Sequence, residues 1–273
     1  IFLFSASCGR CVNCLGGRTQ LCETHASARA KGHLMGGGSR LRDADGNEIA
    51  HQSGVSCFAE YTVVDRGSAV KVDKDLPLAD AAIFGCAVMT GVGAVMNTAR
   101  IRVGDTVAVV GLGGVGLNGL LGAKVAGAEK IIAVDISDDK LGLARQLGAT
   151  HTVNARDPDH IEQIMDITGG GVDYAFEFSG TVAGTETCYK ALRAGGEVLI
   201  AGLAPNGSQF TFNPADIVNS EKAIRGSYMG SCVPVRDIPR FIELYRQGAG
   251  EFIIIDDRSA AAYCRKERIP YVN

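Results

Sequence analysis

Residues 109–116 read Val-Val-Gly-Leu-Gly-Gly-Val-Gly, and this stretch decides the fold. Gly111, Gly113 and Gly116 follow the G-x-G-x-x-G spacing, which alone is a weak signal because glycine-rich turns are common. Here an apolar strand pattern precedes the turn and a long apolar helix pattern follows it. The stretch therefore predicts a strand–turn–helix unit whose first helical turn binds a pyrophosphate.

The acid that supports a dinucleotide is Asp135, which follows the second predicted strand about 20 residues after the turn. A carboxylate there accepts hydrogen bonds from ribose hydroxyls and repels a 2′-phosphate, so we predict NAD rather than NADP. Ile136 and Ser137 offer no arginine to neutralise such a phosphate, and Lys140 can reach the ribose. The predicted cofactor-binding residues in this part of the chain are Gly111, Gly113, Val115, Gly116, Asp135 and Lys140.

The chain after residue 105 alternates between short apolar runs and helical patterns. Buried strands that alternate with helices indicate an α/β fold with a doubly wound parallel sheet. We predict strands at 106–110, 131–134, 152–153, 173–178, 197–201 and 223–227, and helices at 114–126, 138–147, 160–167, 184–192 and 238–247.

Residues 1 to about 87 have a different pattern, dominated by loops and short strands. We predict strands at 1–4, 59–64 and 69–72, an exposed loop at 31–47, and a helical region at 78–97 interrupted near Gly85. The predicted domains are residues 1–87, residues 88–230 and a C-terminal return segment at 231–273.

Four cysteines, Cys8, Cys11, Cys14 and Cys22, follow the spacing C-x2-C-x2-C-x7-C. Their thiols are enough to close a tetrahedral shell around one zinc ion at about 2.3 Å, and a closed shell is structural. Disulfides, free thiols and an iron–sulfur cluster are the alternatives. Iron–sulfur ligation usually has a shorter last gap or a distant fourth cysteine, so zinc is favoured.

Composition excludes several classes of protein. The chain has 273 residues, 46% hydrophobic and 21% charged, with a net charge of −3, so neither nucleic acid nor an anionic membrane is expected as a partner. No apolar run approaches the roughly 18 to 20 residues that span a bilayer. Nine cysteines in a chain of this size do not fit a secreted disulfide scaffold, so we predict a reducing, cytoplasmic location.

Histidines are few, and none of the five forms a His-Glu-x-x-His pair. His33 lies in a loop context, and we predict a solvated or hydrogen-bonded side chain rather than a metal ligand.

Together these residues resemble the zinc-dependent medium-chain alcohol dehydrogenases, over about Phe2 to Gln247. The resemblance rests on the four-cysteine lobe, Phe58-Ala59-Glu60-Tyr61-Thr62-Val63, Gly85-Cys86-Ala87-Val88-Met89-Thr90-Gly91, the glycine turn with Asp135, and Gly226-Ser227-Tyr228-Met229-Gly230. It implies a GroES-like catalytic domain beside a Rossmann domain. It also implies oxidation of a small alcohol to an aldehyde or ketone by NAD, and a homodimer or homotetramer.

The resemblance also assigns individual residues. Cys86 matches the last protein ligand of a catalytic zinc, and Thr90 matches a residue near the nicotinamide. Gly202 and Leu203 match the segment that meets the nicotinamide carboxamide. Gln209–Phe212 resembles the strand that pairs between Rossmann domains in family dimers.

Two departures affect the expected activity. The family's first catalytic-zinc cysteine and its Gly-His-Glu segment lie upstream of the four-cysteine lobe, and this chain begins without Met just before that lobe. We therefore expect an N-terminally truncated chain with one catalytic-zinc ligand and little turnover. Residues 251–273 do not resemble the family's usual C-terminus.

Two alternatives remain open at this point. One is a zinc-free relative of the same fold, such as a quinone reductase that uses NADPH, although Asp135 and the four-cysteine lobe argue against it. The other is a non-catalytic nucleotide-binding remnant, or a subunit that pairs with intact chains.

Overall fold

The computed structural model describes residues 1–248. The atypical segment at 251–273 lies outside the described residues. Before residue 105 the chain forms short elements, and after it the chain forms a parallel sheet with helices. In the first part, α1 and α2 cover Val12–Leu15 and Glu23–Ala30, β1 and β2 cover Leu41–Arg42 and Glu48–Ile49, and 3-10 turns cover Thr19–Leu21, Gln52–Gly54 and Arg66–Ser68.

The strand predicted at 59–64 is wrong. Side chains of this alternating segment face solvent: Tyr61 is 91% exposed and Val63 is 56% exposed. No strand among residues 1–248 pairs with the segment. Without a neighbouring strand, the segment has no ladder of hydrogen bonds to hold it in β conformation.

The strands predicted at 1–4 and 69–72 are reduced to a single antiparallel bridge between Phe2 and Ala69. Val70 N–H donates to the Ile1 carbonyl at 2.8 Å beside that bridge. This pairing brings the first residues of the chain against the core.

The helical region predicted at 78–97 is continuous instead of being interrupted near Gly85. A π-helical turn lies where the break was expected. A Cβ on Gly85 would lie 2.2 Å from the Phe2 carbonyl oxygen. Gly85 therefore allows the N-terminal residues to pack on the helix. The region consists of α3 at Leu78–Ile83, a π turn at Phe84–Val88, α4 at Met89–Gly93 and a second π turn at Ala94–Ala99.

By length and composition alone, the stretch Asp80–Ala99 is apolar enough to cross a membrane, with a mean hydropathy of 1.5. Its most apolar window is 67% buried inside the protein. Phe84, Val88 and Val95 are among its fully enclosed side chains. Its apolar character is therefore that of a helix packed in the core.

Six strands form a parallel sheet: β3 Thr106–Val110, β4 Lys130–Asp135, β5 His151–Asn154, β6 Val172–Glu177, β7 Leu192–Ile200 and β8 Ala223–Gly226. Their order across the sheet is β5-β4-β3-β6-β7-β8, so the order of connection reverses between β3 and β6. Such a reversal opens a crevice at the carboxyl ends of the strands, where ligands bind. The helices are α5 Gly114–Ala126, α6 Asp138–Leu147, α7 His160–Thr168, α8 Val182–Lys190, α9 Pro214–Ser220 and α10 Pro234–Arg246.

Both faces of the sheet are buried. Val107 and Val109 of β3 belong to one hydrophobic cluster, and Ala108 and Val110 belong to another. Because successive side chains of a strand point to opposite faces, the two clusters lie on opposite sides of the sheet. This confirms the predicted doubly wound arrangement.

Most predicted boundaries after residue 105 agree within a few residues, and three differ for physical reasons. The β7 strand begins at Leu192 rather than 197, because Leu192 already pairs with Val172 ahead of a register shift. The α9 helix was not predicted; Asn213 caps it by accepting a hydrogen bond from Ala215 N–H at 3.0 Å. The α10 helix begins four residues early at Pro234, a residue suited to a first helical turn.

Candidate functional site

Two glycines shape the turn between β3 and α5. Gly111 has φ of +90°, and a Cβ there would lie 2.5 Å from Ser179 N. A Cβ on Gly116 would lie 1.8 Å from the Gly111 carbonyl oxygen. Any side chain at either position would force the turn open, so the sharp turn requires glycine at both.

Gly113 differs from these two, because a Cβ there would meet nothing within 4 Å. The first hydrogen bond of α5 runs from Leu117 N–H to the Gly113 carbonyl at 2.9 Å. The N–H groups of Gly114, Val115 and Gly116 therefore precede the helical ladder and lie at its open end. The open space beside Gly113 can accommodate a pyrophosphate, and these N–H groups can donate hydrogen bonds to it.

Asp135 lies at the carboxyl end of β4 and faces the glycine turn. Its Oδ2 accepts from Leu112 N–H at 2.7 Å, and its Oδ1 accepts from Ser137 N–H at 3.0 Å. Asp135 and Gly111 line a cleft of about 280 Å³. Lys140 lies outside this cleft, exposed on the first turn of α6.

The opposite wall of the cleft contains Ser179 and Thr181, which follow β6. Glu177, the last residue of β6, has a buried side chain whose Oε1 accepts from Ser179 N–H at 2.8 Å and from Gly180 N–H at 2.9 Å. Sequence reasoning missed Glu177. The signal available in the sequence was an acid that ends an apolar strand, two residues before Ser179.

Gly202 and Leu203 form a turn after β7 at the edge of a second, larger cleft of about 1450 Å³. Gly202 N–H donates to the Glu177 carbonyl at 2.9 Å, and the Leu203 side chain is exposed. Tyr228, from the Gly226–Gly230 segment, lines the same cleft.

Cys86 and Thr90 lie one turn apart on the helix that packs beside the glycine turn. A Cβ on Gly91 would lie 2.3 Å from the Val115 carbonyl oxygen, so this helix approaches α5 backbone to backbone. Thr90 Oγ1 donates to Met229 Sδ at 3.7 Å. Cys86 is an exposed residue, yet the protein around its sulfur desolvates the thiolate and so raises the pKa of the thiol above its usual value.

The four cysteine sulfurs of the first lobe come together, all within 4.8 Å of one another. Cys8 Sγ and Cys14 Sγ are 4.0 Å apart. A regular tetrahedron with zinc–sulfur bonds of about 2.3 Å has edges of about 3.8 Å, so the four thiols fit one zinc ion. Backbone N–H groups of Cys11 and His25 also donate to cluster sulfurs, at 3.4 Å each, as thiolates require.

Two of these thiols are perturbed in opposite directions. Hydrogen bonds, first from the Thr24 side chain and then from Arg10 N–H, lower the pKa of Cys8 to about 6. Burial raises the pKa of Cys14 to about 12. A cation bound among the thiols would offset the cost of ionising Cys14, which couples metal binding to proton release.

Cys86, in contrast, has no group of potential metal ligands around it among the described residues. Within residues 1–248, the one group of three or more His, Cys, Asp or Glu side chains close enough to share a metal is the four-cysteine cluster. His33 pairs with Glu48 instead, with Nε2 3.0 Å from Oε1. The described residues therefore do not fit a catalytic zinc at Cys86, which normally requires three protein ligands.

A Rossmann-type sheet with a glycine turn, combined with a four-thiolate lobe, defines the class of zinc-binding dehydrogenases. A family model described as "Zinc-binding dehydrogenase" matches residues 114–247. S-(hydroxymethyl)glutathione dehydrogenase of Paracoccus denitrificans is 35% identical over 254 residues, which cover 90% of this chain and 68% of that protein. The chain belongs to the zinc-dependent medium-chain alcohol dehydrogenase family.

Solved structures agree with this assignment. An alcohol dehydrogenase zinc-binding domain protein from Burkholderia ambifaria matches with a TM-score of 0.89 and 34% identity, covering 98% of this chain and 74% of that one. A protein from Sinorhizobium meliloti described as a zinc-binding dehydrogenase, solved bound to NADP, matches with a TM-score of 0.71 and 30% identity, covering 90% and 64%. The predicted fold class, a Rossmann sheet with part of a GroES-like domain, is confirmed, and the homologues are oxidoreductases of the alcohol dehydrogenase type.

Proposed function

We propose that this chain binds NAD with its adenosine end in the cleft between Asp135 and Ser179 and its nicotinamide end in the larger cleft beside Gly202, and that it holds one structural zinc ion in the four-cysteine lobe. The observation that carries the proposal is the position of Asp135, whose carboxylate is fixed by two N–H groups beside the glycine turn. A carboxylate held there can accept hydrogen bonds from the adenosine ribose. It would repel a 2′-phosphate, which favours NAD over NADP.

The four-cysteine lobe would hold its zinc in a closed shell. Such a site has no open position for substrate, so the ion would stabilise residues 8–22 rather than take part in chemistry. Because ligand thiols in the unfolded chain are not preassembled, zinc binding would add directly to the folding free energy of this lobe.

The reaction proposed for the family site is hydride transfer from a small alcohol to NAD, giving an aldehyde or ketone. When bound, NAD supplies the carbon that accepts the hydride. Leu203, at the edge of the larger cleft, and Thr90 would border the nicotinamide, and Cys86 would supply a single thiolate there. Since Cys86 has no companion ligands among the described residues, we infer weak alcohol turnover by this chain.

A non-catalytic role is the second candidate, and the isolation of Cys86 from other metal-ligating side chains favours it. In that role the chain binds NAD and pairs with another copy, in the cytoplasm, without oxidising alcohol. Pairing would use Gln209–Phe212, where Tyr189, Phe210 and Phe212 form an aromatic cluster with centroids 5.7 to 6.2 Å apart.

Cofactor titration tests the proposal. Fluorescence titration of zinc-loaded protein with NADH and with NADPH should give a dissociation constant at least tenfold lower for NADH. Alcohol-dependent NADH formation, measured on the same preparation, separates the two candidate roles. Equal affinity for both cofactors, or binding of neither, would overturn the assignment to NAD.

A further inference from the structure

Glu177 is a buried carboxylate that the proposed reaction does not use. It is 1% exposed at the carboxyl end of β6. Its Oε1 accepts three hydrogen bonds, from Ser179 N–H at 2.8 Å, Ser179 Oγ at 2.5 Å and Gly180 N–H at 2.9 Å. All three donors belong to the turn that forms one wall of the Asp135 cleft.

The same residue also contacts the turn at Gly202. The Glu177 carbonyl accepts from Ala201 N–H at 3.0 Å and from Gly202 N–H at 2.9 Å. A Cβ on Gly202 would lie 2.4 Å from Glu177 Oε2 and 2.3 Å from Gly180 N. The turn after β6 and the turn after β7 therefore meet at Glu177, one contacted by its side chain and the other by its backbone.

No Lys, Arg or His among the described residues forms an ion pair with this carboxylate. Burying a charge without an opposite charge is costly, and hydrogen bonds from the turn are what offset that cost. The Ser179–Gly180 turn is therefore held in place by the Glu177 oxygen that accepts its hydrogen bonds. Displacing either would leave a buried carboxylate or buried N–H groups unpaired.

We propose that Glu177 is a positioning residue for the dinucleotide, fixing the Ser179–Thr181 turn relative to the Gly202–Leu203 turn. This role rests on the proposed function, that the clefts on either side of Glu177 bind the two ends of NAD. Glu177 lines neither cleft, so it would act through Ser179, Gly180 and Gly202.

The test compares NADH affinity among the zinc-loaded wild-type chain, E177A, E177Q and D237N. Asp237 is a matched control, since it is also 1% exposed and accepts from Val233 N–H at 2.8 Å and from Arg236 Nε at 2.7 Å, but on α10. Titrations are made well below each melting temperature, on protein whose circular dichroism shows a folded chain.

We expect E177A to bind NADH about tenfold more weakly than wild type. The E177Q variant should stay within about threefold, because its amide oxygen can accept the same hydrogen bonds. D237N should melt at a lower temperature and bind NADH as wild type does. If E177A does not fold, E177D replaces it: the charge stays but the acceptor is withdrawn by one methylene, and we expect at least fivefold weaker binding.

Three outcomes would overturn the role. Wild-type affinity in E177A or E177D overturns it while leaving NAD binding intact. So does a D237N variant that loses as much affinity as E177A, since the effect would then be a general loss of structure. Absence of NADH binding by the wild-type chain overturns the proposed function and this role together.

Discussion

Replacing Asp135 by asparagine should change the cofactor preference of this chain. The D135N side chain keeps an oxygen that can accept from Leu112 N–H or Ser137 N–H, which now bond to Asp135 at 2.7 and 3.0 Å. The turn should therefore persist, at a cost of about 1 kcal/mol in the free energy of unfolding. What the substitution removes is the negative charge beside the ribose.

The size of the effect follows from two contributions. Charge-assisted hydrogen bonds to the ribose hydroxyls contribute about 1.5–3 kcal/mol, so NADH should bind roughly 10- to 150-fold more weakly to D135N. A 2′-phosphate about 4 Å from the Asp135 carboxylate would be repelled by about 4 kcal/mol per unit charge at an effective dielectric constant near 20. Removing the carboxylate relieves that repulsion, so the affinity for NADPH should rise or stay level.

The assay is fluorescence titration of both cofactors with wild type, D135N and D138N. Asp138 is the matched control, an exposed acid three residues along that accepts from Asn154 Nδ2 at 2.8 Å. We expect the ratio of NADPH to NADH dissociation constants to fall at least tenfold in D135N and to stay unchanged in D138N. An unchanged ratio in D135N would refute the assignment of Asp135 to the ribose.

Two further substitutions test other parts of the account. Burial alone would raise the pKa of Asp173, but hydrogen bonds from Thr106 N–H and Oγ1, both 2.7 Å, and from Arg193 outweigh it and lower the pKa. A lowered carboxyl pKa contributes stability above the unfolded value of about 3.9 and loses it as pH falls through the folded value. The free energy of unfolding in urea should therefore be about 1–2 kcal/mol lower for D173N than for wild type near pH 7. This difference should shrink below about pH 4. A difference that stays constant with pH would contradict the lowered pKa of Asp173. Phe212 is 40% exposed, and F212E should convert a wild-type dimer to monomer, as measured by sedimentation velocity. A monomeric wild-type chain, or an F212E variant that still dimerises, would rule out pairing through Gln209–Phe212.

The second half of the chain was predictable because its signals are local. Helix α5 starts after the glycine turn, and α5 and α6 end at Gly127 and Gly148, which have φ of +84° and +117°. The helical period, the glycines that end both helices and the acid after β4 all indicate the same boundaries for α5, β4 and α6. These boundaries could therefore be predicted from the sequence.

The first half was less predictable because its elements depend on partners distant in sequence. Alternation at 59–64 indicates a strand only if another strand lies beside it, and the sequence does not say whether one does. Helix α2 was missed as well; its cap is the sulfur of Cys22, which accepts from His25 N–H at 3.4 Å, a role that a thiol seldom has. The cysteine spacing could be interpreted as a metal site, but Glu177 was missed because one acid at a strand end has no spacing to interpret.

The most direct test of the central claim is the zinc content per chain, measured by elemental analysis of protein purified without added metal. We expect one zinc ion per chain, held by Cys8, Cys11, Cys14 and Cys22, together with tight NADH binding. A value near two would mean that Cys86 has companion ligands, contradicting the inferred weak turnover. A value near zero in reduced protein would contradict the assignment of the four-cysteine lobe to zinc.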